Sequence, residues 1–312
     1  MSSIAWPDSV DEILGSDQVV ALASVTPARG VVLTPLTNFG LRDREAGTLN
    51  AVNTSVGVWK KLARMRRNPH VALAYHTRVH GFSDRPEYVL VQGRATLGPP
   101  VADYPATLGE AWERFGGPVT GGLLWDRWLR VWATRVEVKL AVERVIVWPN
   151  LSCRGRPEVH GRPLSGTHPE PQRPPGRGTA PRVDHRRAAR RAHRLPHVLL
   201  GWAGADGYPL AVPVAVDGYE ERGIVLHAPE GLVPPGGRRA GLTAHWFARY
   251  TFGQRQRVHT GWLHPERPNG RLVYAPHTQT GYRLPTSRFL FKLVAGFEAR
   301  RRLRGARRAG IA

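Results

Sequence analysis

The stretch Asn53–His76, NTSVGVWKKLARMRRNPHVALAYH, decides the fold. It opens on polar residues, passes through a short basic segment, and stops at an Asn-Pro pair that runs straight into the apolar VALAY. The spacing predicts a short helix over Val58 to Arg67. In it Val58, Leu62 and Met65, at i, i+4 and i+7, form an apolar stripe that packs on a sheet. Lys60, Arg64 and Arg67 repeat that spacing on another face. Pro69 stops the helix and Asn68 is its terminal residue. Upstream, Thr54 and Ser55 cap the helix start or supply hydroxyls near it. Unpaired amides and the helix dipole stabilise anions at such a place, and a lysine ammonium is a compact charge suited to phosphate. On pattern alone three partners stay open for the lysines: a nucleic-acid backbone, a small phosphorylated ligand, or water only. Lys61 is expected at the surface.

Around this segment the first third reads as short strands. VVALASV is followed by the turn signal TPARG and by VVLTPLTNF, then the turn DREAG and TLNAVNT. After the basic segment come HVALAYHT and YVLVQGRATL. A helix is expected over VADYPATLGEAWERFGG, and VWATRVEVKLAVERVIVWP reads as one or two closing strands. Short, closely spaced strands with one helix between them point to a small antiparallel barrel.

The last third repeats this layout. PHVLLGWAGADGYPLAVPVAV matches VVALASVTPARGVVLTPLTNF as strand, turn, strand, with Pro213 placed like Pro35. RGIVLHAP stands where GTLNAVNT stood, GGRRAGLTAHWFARY where GVWKKLARMRRNPHV stood, and HTGWLHP where VQGRATL stood. The reading is a tandem duplication, mainly β with a few helices. A first barrel spans 1–150, a Pro/Arg-rich linker or long loop 151–194, and a second, divergent barrel with a basic tail 195–312. In the second copy Arg238 and Arg239 take the place of the lysines, and that copy is expected to be structural.

The net charge of +21 resembles a nucleic-acid signature, but eleven arginines lie in Arg154–Arg194 and six in Glu298–Ala312. No groove-reading motif accompanies them. A solvated linker and tail is the favoured reading, a polyanion footprint the other. Nucleic acid is therefore not an expected partner. The one cysteine, Cys153, permits no intrachain disulfide. No secretory signal is read at the start, and the apolar runs fall short of the ~20 residues that span a bilayer. A soluble, cytoplasmic protein without membrane association is expected.

The strand order, the lysine seven positions before Asn68, the NPHVAL run and the later YVLVQGRATL strand resemble the pyridoxamine 5'-phosphate oxidase-like flavin-binding split barrels, a superfamily that includes flavin and deazaflavin oxidoreductases. The resemblance implies two tandem split β-barrels. It also implies that Lys61, with Lys60 and Ser55 close by, contacts the phosphate of a flavin. Thr54, Asn53 and Trp59 complete the candidate cofactor-binding set. Trp59 stands where a serine is often found, and VVLTPLTNF lacks the basic contacts that flavin mononucleotide oxidases place there. FMN, a deazaflavin coenzyme and a lost site without cofactor therefore all stay open. The resemblance further implies hydride transfer to or from a small organic substrate, with the cofactor at a dimer interface, formed by a homodimer or by the two barrels of one chain as a pseudo-dimer. No catalytic acid or base is assigned, because the cofactor carries such chemistry. The alternative is a non-catalytic cofactor- or haem-type carrier, or a polyanion-binding protein using the Arg-rich segments.

Other residues receive structural readings. Trp112, Trp125, Trp128 and Trp132 are read as core and interface aromatics before flavin walls. His76 and His80 lack acidic or cysteine partners at metal-ligand spacing, so no metal is assigned. His245, His259 and His277 form no triad. GGPVTGG and PPGG lack the phosphate-cradling spacing, and Cys153 is read as inert.

Overall fold

The computed structural model describes residues 4–117, 122–265 and 270–311, with the backbone alone at 51–53. The first sheet comprises β1 (Val19–Val25), β2 (Val31–Thr37), β3 (Arg42–Asp43), β4 (Thr48–Ser55), β5 (His70–Tyr75), β6 (Tyr88–Val101), β7 (Arg135–Trp148) and β8 (Glu158–Gly161). The second comprises β9 (His197–Ala203), β10 (Pro209–Pro213), β11 (Ala215–Glu220), β12 (Gly223–His227), β13 (Arg238–Phe247), β14 (Gln254–Pro265) and β15 (Arg271–Leu284). The helices are α1 (Asp8–Ser16), α2 (Trp59–Arg67), α3 (Tyr104–Leu108), α4 (Glu110–Gly116), α5 (Leu123–Ala133), α6 (His185–His193) and α7 (Arg288–Arg308).

The two sheets are one pattern written twice. Strand order is β2-β1-β5-β6-β7-β4-β3 in the first and β10-β9-β13-β14-β15-β12-β11 in the second, with β8 added to the first along β7. Registers coincide as well. Pro35 faces Ala21 and Pro213 faces Leu199. A β-bulge falls between Gln92 and Gly93 in one copy and between Thr260 and Gly261 in the other. A Cβ on either glycine would collide with the facing carbonyl, of Ala141 or Ala275, so the bulge demands glycine in both copies. The chain is thus mainly β, built as two tandem split barrels.

Why the strands read as unbroken apolar runs follows from their burial on both faces. In β1, Val20 and Leu22 enter the first barrel's core, while Ala21, Ala23 and Val25 enter a core shared with Leu199, Ala203 and Ala211 of the second copy. β5 alternates likewise, with Val71, Leu73 and Tyr75 inside the barrel and Ala72 and Ala74 between the copies. Period-two alternation puts successive side chains on opposite faces, and here both faces are dry. Small residues let the sheets approach: a Cβ on Gly241 would meet the Val31 carbonyl. Polar pairs close the same seam. Gln92 Nε2 donates to Pro209 O at 2.8 Å, and Arg144 pairs with Asp206 at 2.6 Å.

Several local expectations need correction. The helix expected over 101–117 is two short ones, because Gly109 adopts φ +52 between α3 and α4. The segment Leu123–Ala133 is helical, although its VWA end was read as strand. None of its residues is fully buried, and its tryptophans turn to α7 instead of a sheet. Arg238 and Arg239 open β13 and do not replace the lysines on a helix; no helix lies between β12 and β13. The basic tail is not a solvated strand of chain. It forms α7, whose Ala299 lies against Gly57 and whose Gly305 lies against Trp59. Within the Arg-rich linker, α6 forms with Asp184 as N-cap, its Oδ1 accepting from Arg187 N at 2.9 Å. Ala188, Ala189 and Ala192 of α6 pack into the second core. No described helix is long and apolar enough to cross a membrane.

Candidate functional site

The decisive stretch folds as β4, a 3₁₀ turn at Val56–Val58, and α2. Ser55 caps the turn, its Oγ accepting from Gly57 N at 3.3 Å and donating to Val131 O at 3.3 Å. Helix α2 turns Lys61, Leu62 and Met65 inward. Val58, expected in the apolar stripe, is exposed, because the 3₁₀ turn shifts the helical phase ahead of Trp59. Lys61, expected at the surface, is 5% exposed.

Lys61, Thr54 and Ser55 line one cavity of about 820 Å³. Its walls come from both copies: Thr34–Thr37 of β2, Trp112, Trp132 and Arg135 from the first, and Phe247, Tyr250 and Gln254 with the end of β15 from the second. The inner face of α7, with Phe291, Ala295 and Ala299, completes it. Eight lining side chains are cationic and three are acidic. The Arg135 guanidinium lies 4.5 Å from the Trp132 ring centre and 5.1 Å from that of Trp112. Phe39 stacks on Trp112 at 4.9 Å, which fixes that wall.

The electrostatics are unusual for a lysine. Among the described residues no carboxylate or carbonyl pairs with the Lys61 ammonium. Burial first, then the positive charges of Arg135 and Arg64, together lower its pKa to about 7. Arg135 is likewise held down, to about 10, chiefly by burial. Beside them the Thr54 hydroxyl is buried without a partner. A buried cation and a buried hydroxyl, both unsatisfied, form a site that an anion would complete.

The other candidates lie elsewhere. Lys60 is exposed, its ammonium 6.0 Å from the Trp59 ring, and Trp59 packs on Gly305; neither lines the cavity. Asn53 pairs with Glu137 across β4 and β7, and its side chain lies outside the described residues. Of the four clustered tryptophans, Trp112 and Trp132 line the cavity, while Trp128 donates to Lys292 O at 3.0 Å and Trp125 meets Phe289. Sequence reasoning missed Arg135, Tyr282 and the α7 face, which reach the site only through strand pairing and the return of the tail. GGPVTGG lies mostly outside the described residues.

At the corresponding place in the second copy the lysine and the two hydroxyls have no counterpart. Asn53 faces Glu137 and His227 faces Arg271, which sets Ala228 and Pro229 where Thr54 and Ser55 stand. They border a cavity of about 700 Å³ with Glu230 at its edge, and no helix carries a lysine into it. Cys153, also on that cavity, is buried, and burial pushes its thiol up, away from thiolate reactivity.

His76, just past the end of β5, and His245 of β13 occupy equivalent register positions and meet between the copies, Nε2 to Nε2 at 2.8 Å. His197 stands beside them, its ring centre 5.5 Å from that of His245. Among the described residues no group of side chains is arranged to hold a metal ion.

No protein-family model matches the chain, and no curated protein matches it. Among solved structures, a conserved hypothetical protein from Mycobacterium tuberculosis is similar at 20% identity over 54% of this chain and 97% of its own, with a TM-score of 0.32. A protein described as F420 reductase is similar at 19% identity over 45% and 98%, with a TM-score of 0.33. A pyridoxamine 5'-phosphate oxidase-related, FMN-binding protein from Nostoc punctiforme is similar at 13% identity over 63% and 86%, with a TM-score of 0.28. By its own strand order the chain is a tandem pair of split barrels.

Proposed function

We propose that the chain binds one phosphorylated flavin or deazaflavin coenzyme in the cavity between its two barrels and acts as an oxidoreductase on a small organic substrate. The observation that carries this reading is the buried, unpaired Lys61 ammonium beside the unpartnered Thr54 hydroxyl. Lys61 and Thr54 would hold the phosphate, with Ser55 anchoring the turn that presents them. The cofactor, when bound, supplies the hydride chemistry. Trp112, Trp132 and Phe291 form one continuous aromatic wall, Trp132 meeting Trp112 at 5.7 Å and Phe291 at 6.0 Å, and Arg135 adds positive charge to it. A phosphate dianion at Lys61 offsets the burial that disfavours its charge, so binding returns a proton to the lysine. The intrachain pairing of the barrels supplies the two-sided cavity without a second chain.

The test is a titration of purified protein with FMN, with riboflavin and with a deazaflavin coenzyme, read by fluorescence quenching, alongside mass spectrometry of any copurifying small molecule. The reading expects phosphate-dependent binding that Lys61→Met weakens. Undiminished affinity in that variant would defeat the assignment.

A further inference from the structure

We propose that the outer face of α7, continued by the first turn of α5, docks on the surface of an anionic lipid bilayer. Phe289, Leu293 and Phe297 recur at i, i+4 and i+8 and so form one stripe, with Leu290 at its side. They are 60%, 38%, 58% and 48% exposed. Leu123 and Leu124, at the start of α5, are 92% and 86% exposed. The two groups adjoin, because the Trp125 ring meets Phe289 edge-on at 5.5 Å.

The helix is not free to turn this face inward. Its opposite side is committed: Phe291, Ala295 and Ala299 are buried against the cavity and the 3₁₀ turn, and Gly296, at the edge of the stripe, is held on Trp128 of α5. Beyond Phe297 the outer face changes from apolar to basic. Arg304, Arg307 and Arg308 are exposed there. The helix has a single acid, Glu298, which is paired with Arg302 at 2.6 Å.

Chemistry selects the occupant. Four bulky apolar side chains gain nothing from a phosphodiester backbone. A second copy docked through the same face would offer Arg304, Arg307 and Arg308 no free acidic partner, since the helix's single acid, Glu298, is already paired with Arg302. An anionic bilayer surface satisfies both halves: phenylalanine and leucine enter the headgroup–acyl boundary, while arginines extend to lipid phosphates. A helix lying in the interface need not cross the bilayer, and α7, with its arginines, is not apolar enough to do so. This docking departs from the expectation of no membrane association, which rested on the lack of a spanning segment.

The experiment is vesicle co-sedimentation of the full chain, comparing pure phosphatidylcholine with phosphatidylcholine containing about 30% phosphatidylglycerol. Wild type is expected to bind the anionic vesicles at least about tenfold more tightly than the neutral ones. The pair Phe289→Ser and Phe297→Ser, and separately Arg304→Glu and Arg308→Glu, are each expected to lose about tenfold or more. Circular dichroism checks that each variant is folded. Should the phenylalanine pair not fold, Leu123→Ser with Leu124→Ser, at fully exposed positions, takes its place with the same expected direction. Equal binding to both vesicle types, or apolar variants that bind like wild type, would overturn the proposal. So would a concentration-dependent dimer abolished by the phenylalanine pair, which assigns the face to a second copy. Retention of duplex DNA in place of vesicles would assign it to nucleic acid.

Discussion

Replacing Lys61 by methionine separates stability from binding at one position. The substitution keeps an unbranched stem of similar length at the cavity wall and removes the charge. Burial, with the charges of Arg135 and Arg64, lowers the ammonium pKa from 10.5 to about 7. At about 1.4 kcal/mol per pH unit this withholds on the order of 5 kcal/mol of folding free energy from the ligand-free protein. The sign follows from the protons. Between pH 7 and 10.5 the unfolded chain keeps a proton that the folded chain has released, so stability rises with pH across that window and is lowest, for this group, below pH 7. Lys61→Met is therefore expected to stabilise the ligand-free protein by about 2–5 kcal/mol at pH 7 and to flatten its stability between pH 7 and 10. The same change is expected to weaken FMN or deazaflavin binding by about 10- to 100-fold, the worth of a charge-assisted contact. Urea unfolding across pH 6–10 and ligand titration at pH 7 read both effects. A variant no more stable than wild type at pH 7, with its pH slope intact, would refute a buried, uncompensated lysine.

Other outcomes follow from the same geometry. Thr54→Val removes a buried hydroxyl without a partner and is expected to raise ligand-free stability by about 1 kcal/mol while lowering phosphate affinity, checked by the same two assays. Burial lowers His76 to about 3 and holds His245 well below its usual value, so folded protein resists protonation at the seam. Stability contributed by these histidines is present above about pH 6.5 and is lost as pH falls below it, at roughly 1.4 kcal/mol per pH unit for each; acid titration of wild type against His76→Gln with His245→Gln should show the shallower slope in the variant. Gly93→Val forces a side chain into the Ala141 carbonyl at the bulge and is expected to cost at least about 3 kcal/mol, measured by denaturant unfolding.

How much was legible in the sequence depends on whether the signal was local. The strands and their duplication were readable because Pro35 and Pro213, and the apolar runs between turn signals, record burial on both faces. Lys61, Thr54 and Ser55 were readable as a group because they are adjacent in the chain. The inward turn of Lys61 was not, since it depends on a 3₁₀ turn at Val56–Val58 that resets the helical phase. Helix α5 was missed because its apolar residues are divided between the cavity, α7 and solvent, which blurs the period. Arg135 and the inner face of α7 were invisible because no spacing records that the tail returns to the first barrel. The second copy's arginines misled because charge was matched to charge, while the strand register carries Arg238 and Arg239 onto β13.

The central claim is that one copy of the duplicated barrel keeps a phosphate-gripping cavity and the other has lost it. Equilibrium binding of FMN against riboflavin, with stoichiometry, tests this most directly. The account predicts one FMN per chain and markedly weaker binding of riboflavin. Two equivalent sites per chain, or equal affinity for the two ligands, would contradict it.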